Sequence, residues 1–269
     1  MTSRLGAERY PDLRSKFASP AIIDPADYLD YLRRVGQLSS FRAPQAVIMC
    51  YQRSIMQYVL ANEETAPVDP ETNYREMVTI ARTGHRVGVV GAFGFGAVAA
   101  VSVLEELIAL GAKRFITVGT AGALQSNCQI GDILVCDRAI RDDGVSQHYL
   151  PPEECASASP RMTELLSIAL SARDLKYQIG TTWTTGALYR ETKAEIAHYQ
   201  QQCVVGVEME AAALFAVARF RSVSLATLAV IADAVIAHPW HPAWASPQVS
   251  RALVNGYQAC VEALCSPDF

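Results

Sequence analysis

Short, unbroken apolar runs alternate along this chain with longer stretches whose apolar positions recur at helical spacing. The first kind reads as strand and the second as helix. The pattern predicts strands at 46–50 (AVIMC), 86–90, 114–118, 132–140, 179–184, 203–207 and 224–231. It predicts helices at 53–61, 97–110, 161–173, 192–201, 209–220 and 248–265. The runs at 115–118 and 225–231 are apolar on both faces, so each needs cover on both sides. Alternation of strand and helix predicts an α/β fold: a single domain with a central mixed sheet in a three-layer α/β/α arrangement. The first 44 positions are different in kind, polar and punctuated by Pro11, Pro20, Pro25 and Pro44. Within them Asp24-Pro25 reads as an N-cap followed by a first-turn proline, opening a helix over 25–35. The expected organisation is an N-terminal helical extension, 1–44, and one domain, 45–269, with no repeat or linker.

Composition narrows the classes of function. Of 269 residues, 51% are hydrophobic and 19% charged, which fits a globular core and argues against disorder. The formal charge is −4 and the basic residues are spread thinly, so neither nucleic acid nor an anionic membrane surface is an expected partner. No apolar run is long enough to span a bilayer, and the N-terminus lacks the apolar region of a secretory signal. Seven cysteines, an odd number with no C-x-x-C pair, read as reduced thiols in a cytoplasmic protein.

Three features carry candidate chemistry. Gly91-Ala-Phe-Gly94-Phe-Gly96 follows a strand and opens a helix, so its backbone N–H groups could meet an anion there. The same glycines could instead make only a tight turn. A dinucleotide site is disfavoured by their spacing and by Gly119-Thr120, rather than an acid, at the next strand end. Glu208 and Glu210 leave a strand and enter an otherwise apolar helix. The helix dipole can account for one acid in a first turn, but not for the pair. Asp233 ends an apolar strand, where ligands bind in open α/β folds, although an N-cap role is also open to it. His238 and His241 have no third ligand nearby and make a poor zinc signature. A loop over the pocket, with Trp240 or Trp244 stacking on a ligand, suits that segment better.

Taken together, Gly94–Leu107, Val118-Gly-Thr-Ala-Gly-Ala-Leu-Gln125, Gly131-Asp-Ile-Leu-Val and Val207-Glu-Met-Glu-Ala-Ala-Ala-Leu214, followed by Ala232-Asp233, resemble the nucleoside phosphorylase/nucleosidase superfamily over residues 45–265. Within it, Asp143-Gly-Val-Ser-Gln-His148-Tyr149 looks most like the uridine phosphorylase branch. The resemblance implies that Glu210 takes the ribose hydroxyls and Met209 packs on the sugar. It implies that Asp233 protonates a leaving purine, and that Glu208, Thr120, Ala121, Gly122, Leu188 and Tyr189 line the substrate site. It further implies a phosphate site of Gly94, Gly96, Arg53, Thr120 and Arg75, the last supplied by a neighbouring subunit in a homodimer or a hexamer built as a trimer of dimers. Some family positions differ. Thr117 stands where an arginine is expected, Met49 replaces a loop glycine, and Val98-Ala99 replaces Pro-Ser. Thr192 and Ala194 stand where uridine phosphorylases carry glutamine and arginine, which points toward a purine and a role in purine salvage.

Elementary chemistry agrees with these assignments. Breaking an N-glycosidic bond builds positive charge on the sugar and negative charge on the departing base. Catalysis therefore needs a carboxylate near the ribose, a proton donor at the base and, for phosphorolysis, cations around phosphate. The expectation is a pentosyltransferase that uses inorganic phosphate as co-substrate and no other cofactor or metal. Hydrolysis by water and a non-catalytic nucleoside-binding protein are the alternatives.

Overall fold

The computed structural model describes residues 14–236, 240 and 242–266. The chain forms ten strands and seven α-helices among these residues. Asp24 caps α1 (Pro25–Arg34) through a capping box with Asp27, as its sequence predicts. The core elements follow as β1 (Ala46–Cys50), α2 (Arg53–Asn62), β2 (Thr65–Pro67), β3 (Val78–Ile80), β4 (Val87–Val90), α3 (Ala97–Ala109), β5 (Arg114–Ala123) and β6 (Ile133–Asp142). Next come β7 (Ala156–Ser157), α4 (Pro160–Ala172), β8 (Tyr177–Thr185), α5 (Lys193–Gln201), β9 (Gly206–Glu208), α6 (Ala211–Phe220), β10 (Ser224–Ala234) and α7 (Pro247–Cys265).

The strands form one mixed sheet in the order β10-β6-β8-β9-β5-β1-β4-β3-β2. β5 pairs parallel with both β1 and β10 and antiparallel with β9. Because β10 also pairs with β6, the strands β5, β10, β6, β8 and β9 close into a ring, and β1, β4, β3 and β2 run on from it as an open wing. The predicted mixed sheet is present, and its partial closure is additional.

The unbroken apolar runs now have a physical reason. Along β1, Ala46, Ile48 and Cys50 face one core, with α2, α4 and α7. Val47 and Met49 face a second core, with α1, α3 and α6. Helices thus cover both faces, as the three-layer reading requires. Leu29, Leu32 and Leu38 of the N-terminal extension belong to that second core, so the extension packs as part of the same body.

Most differences from the predicted elements are at their ends. β5 runs on to Ala123, β10 to Ala234, and β9 shrinks to Gly206–Glu208. The β2–β3 hairpin is too short for any periodicity to show, and it carries Pro67 on the outermost strand, where a missing N–H costs no ladder bond. Among the cysteines, Cys50, Cys128, Cys136 and Cys260 are buried and all seven are free thiols.

Candidate active site

The C-terminal ends of β5 and β10, the β9–α6 junction and the turn at Leu188–Arg190 converge on one cavity of about 450 Å³. Its floor is Thr120, Ala121 and Gly122 of β5. Gly122 has no room for a side chain: a Cβ there would lie 2.9 Å from Val235 Cγ1 and 3.3 Å from Asp233 Oδ1. Val207, paired with Gly122, stands beside the floor, and Glu208, Met209, Glu210, Leu188 and Tyr189 complete this part of the lining. Phe95 and Tyr189, 70% and 94% exposed, are rim residues rather than core residues.

The two glutamates have separate roles. Both oxygens of Glu208 are consumed by the protein: Oε1 accepts from the hydroxyls of Thr182 and Thr184, and Oε2 accepts from the N–H groups of Glu210 (2.7 Å) and Ala211 (2.6 Å). Glu208 therefore caps the N-terminus of α6, where negative charge is favoured. Burial raises its pKa, and the donors around it pull the other way. The helix-dipole explanation thus holds for Glu208, which lines the cavity but has no oxygen free for a ligand. Replacing Glu208 by alanine strands buried donors at about 1–3 kcal/mol each. We expect Glu208→Ala to cost at least about 3 kcal/mol and to lower Tm by roughly 6–12 °C. A calorimetric Tm within 2 °C of the wild type, on the order of the shift for 1 kcal/mol or less, would contradict this capping role.

Glu210 is the acid left for chemistry. It is buried, and its Oε1 accepts from the Gly96 N–H at 2.5 Å. Burial, followed by the charge of Glu208, raises its pKa to about 8. The glycine loop is thereby tied to Glu210: Gly94 and Gly96 adopt φ of 94° and 88°, and the Gly96 N–H at the start of α3 already holds a carboxylate.

Asp233 lies at the far end of the cavity. The β10–β5 register shifts between Ile231 and Asp233, leaving Ala232 as an extra residue beside Gly122. Such a bulge re-aims the side chain that follows it. The Asp233 carboxyl accepts from Trp240 Nε1 at 2.8 Å. Burial raises its pKa, and the indole donors of Trp240 and Trp244 oppose the rise. Trp244 itself lines the cavity and meets Trp240 edge-on with ring centroids 5.3 Å apart. His238 and His241 lie outside the described residues.

The structure brings the expected phosphate residues together only in part. Thr120 lines the cavity and accepts from Gln52 Nε2 at 3.1 Å. Arg53 begins α2, next to Gln52, but its side chain is exposed and does not reach the lining. Arg75, at φ 58°, forks onto Glu106 of its own chain through Nε (2.9 Å) and Nη2 (2.7 Å) and lines a different cavity with Tyr28 and Phe93. Within one chain neither arginine reaches the candidate site. Thr117 is fully buried inside the sheet and donates to Thr227, so it offers a ligand nothing.

Sequence reasoning missed Tyr51, Gln52, Glu191, Val207 and Val235 as lining residues. The Tyr51 ring lies against Gly119, where a Cβ would come within 2.8 Å of it. Among the described residues, Gln52 Oε1 is buried without a hydrogen-bond partner. Glu191 carried one legible signal. Thr192 and Glu195 form the capping box of α5, which leaves the preceding acid with no helical duty.

A closed strand ring with an acid-lined cavity at its strand ends defines a class of α/β protein, and comparison with known proteins gives the family. The profile of the Phosphorylase superfamily matches residues 55–263, and the chain belongs to this family. The uridine phosphorylase of Haemophilus influenzae is 31% identical over 141 residues, covering 47% of this chain and 56% of that protein. The guanosine phosphorylase of Halorubrum lacusprofundi is 29% identical over 145 residues, covering 54% of this chain and 60% of that protein. This chain thus spans a little over half the length of each of these relatives. Among solved structures, uridine phosphorylase from Vibrio fischeri superposes with a TM-score of 0.69 at 24% identity, over 83% of this chain and 91% of that one. Purine nucleoside phosphorylase from Toxoplasma gondii gives 0.70 at 17% identity over the same shares. These likenesses establish the shared fold.

Proposed function

We propose that this protein cleaves the N-glycosidic bond of a nucleoside with inorganic phosphate, releasing free base and pentose 1-phosphate. One observation carries the reading: a single cavity of about 450 Å³ holds a buried carboxyl without a capping duty, Glu210, and a buried carboxyl under an indole, Asp233. Glu210 serves the ribose hydroxyls with Met209 against the sugar. Asp233, whose pKa burial raises, gives its proton to the departing base. The uridine and guanosine phosphorylase relatives perform phosphorolysis by name, which supports the same reaction here.

Phosphate requires positive charge or many donors in a water-excluding site. Thr120 supplies a neutral hydroxyl, while the Gly96 N–H is spent on Glu210. Arg75 keeps Nη1 clear of Glu106, and a second copy of the chain is the means by which it would reach a phosphate. A homodimer, or a ring of dimers, therefore belongs to this proposal. So do a cytoplasmic location and a role in purine salvage. No described helix is long and apolar enough to cross a membrane.

A second reading, hydrolysis, rests on the lining itself: it contains Glu191, Glu208, Glu210 and Asp233 but no arginine or lysine among the described residues. The sugar product separates the two. We expect pentose 1-phosphate in phosphate buffer and base release at least ~10-fold slower without phosphate, since charge-assisted bonds worth about 1.5–3 kcal/mol each hold the nucleophile. Free pentose at equal rates in both buffers would establish a hydrolase and remove Arg53 and Arg75 from the reaction.

A further inference from the structure

Gln52 lines the cavity and keeps one polar atom, Oε1, buried without a hydrogen-bond partner among the described residues. It stands at the N-cap of α2, where a polar side chain ordinarily turns back to the helix N–H groups, yet it makes no cap bond. Its Nε2 instead donates to Thr120 Oγ1 at 3.1 Å, reaching across to β5. That bond gives each partner a fixed role. Thr120 uses its oxygen to accept, so its own hydrogen can point into the cavity. Gln52, with its amide nitrogen turned to Thr120, presents a carbonyl oxygen that can only accept. A buried acceptor left bare is costly, and a ligand that brings a donor removes the cost.

We infer that Thr120 and Gln52 hold the nucleophile as a matched pair, Thr120 donating to one of its oxygens and Gln52 accepting a hydrogen from another, so that the site takes hydrogen phosphate and refuses sulfate. This rests on the proposed phosphorolysis and adds the feature by which its co-substrate is told from a like anion. Gln52 is absent from the phosphate residues that the family resemblance implies. Hydrogen phosphate carries a P–O–H group at neutral pH. Sulfate has the same tetrahedral shape and carries no hydrogen. Against Gln52 Oε1 it would set one buried oxygen against another, with no donor between them.

The charge of the lining acts in the same direction. Glu191, Glu208, Glu210 and Asp233 line the cavity, and within one chain no arginine or lysine among the described residues does. Each hydrogen kept on phosphate removes a negative charge and supplies a donor, so the protonated forms suit this lining best. The hydrogen on Gln52 does not obstruct the reaction. An unprotonated phosphate oxygen bonds to C1′ as the C1′–N bond breaks, the base takes the Asp233 proton, and the hydrogen held by Gln52 stays on the phosphate of the product.

The test is calorimetric binding of inorganic phosphate and of sulfate at neutral pH, in the wild type and in Gln52→Met, which replaces the amide by an apolar chain of similar length. We expect the wild type to bind phosphate at least about 10-fold more tightly than sulfate, the size of one buried hydrogen bond. The variant should lose most of that ratio through weaker binding of phosphate. Its KM for phosphate should rise by about the same 10-fold while its KM for nucleoside stays near that of the wild type, a split that general loosening of the cavity would not produce. Sulfate bound as tightly as phosphate by the wild type overturns the inference with no variant needed, because an amide turned the other way would donate to either anion. A phosphate preference that survives in folded Gln52→Met overturns it as well. Pentose 1-phosphate formed in either case leaves phosphorolysis standing while this inference falls. A wild type that binds neither anion and releases base equally well without phosphate ends both.

Discussion

Glu210→Ala lowers kcat/KM for the preferred nucleoside by about 10²-fold or more while leaving the protein folded. Glu210 is buried at the mouth of α6, yet it is held by backbone N–H groups alone, that of Gly96 and that of the neighbouring Met209, rather than by side chains that would collapse without it. In the proposed reaction its contribution would be strongest when the ribose carries positive charge, so its removal would be felt in the transition state. Unchanged kinetics in a variant of normal Tm would remove Glu210 from the site. A pH signature accompanies the effect. The carboxyl is held protonated up to about 8, and the ionised form is the one that accepts the ribose hydroxyls. kcat/KM should therefore climb as pH rises toward 8, and Glu210→Gln should lack that limb. Stability moves the opposite way. A carboxyl whose folded pKa is raised stabilises the fold below its unfolded value, and this stabilisation is lost as pH rises through about 8. Glu210→Gln should flatten that part of the stability profile.

Asp233→Asn should remove a comparable or larger share of the rate, about 10²–10⁴-fold on purine nucleosides, because the amide keeps the shape but has no acidic proton to give. The indole of Trp240 can still donate to the amide oxygen, so the loop should stay in place. Nucleosides with activated leaving groups need no such proton and should lose far less. This contrast distinguishes proton donation from positioning. If uridine outperforms inosine and adenosine and the variant is indifferent to the leaving group, Asp233 is not the acid.

How far these roles could be read from the chain differs from residue to residue. The α/β layering was legible because the runs in β5 and β10 are apolar on both faces, which calls for cover on both sides. The helix starts at Asp24 and near Thr192 were legible because their signals are local, while the capping boxes there appear only in the structure. The closure of the sheet was not: it depends on β10 finding β5 across more than a hundred residues, and no local pattern records a partner. Glu208 and Glu210 are acids two positions apart in sequence, and only the donors around Glu208 reveal that one is structural. Arg75 looked available for phosphate because its partner, Glu106, lies in an apolar helix thirty-one positions away.

The ring of strands also sets the order in which activity can appear during synthesis. β5 is complete by residue 123, but its neighbour β10 begins only at residue 224, and Asp233 arrives near that strand's end. Until then β5 has an open edge beside an apolar face, and the cavity has a floor but no acid at its base end. A nascent chain is therefore without a complete site for most of translation, and pairing at such sequence separation is intrinsically slow. Chaperone demand and the onset of activity should both track the emergence of β10 from the ribosome, well after the glycine loop and β5 have been made.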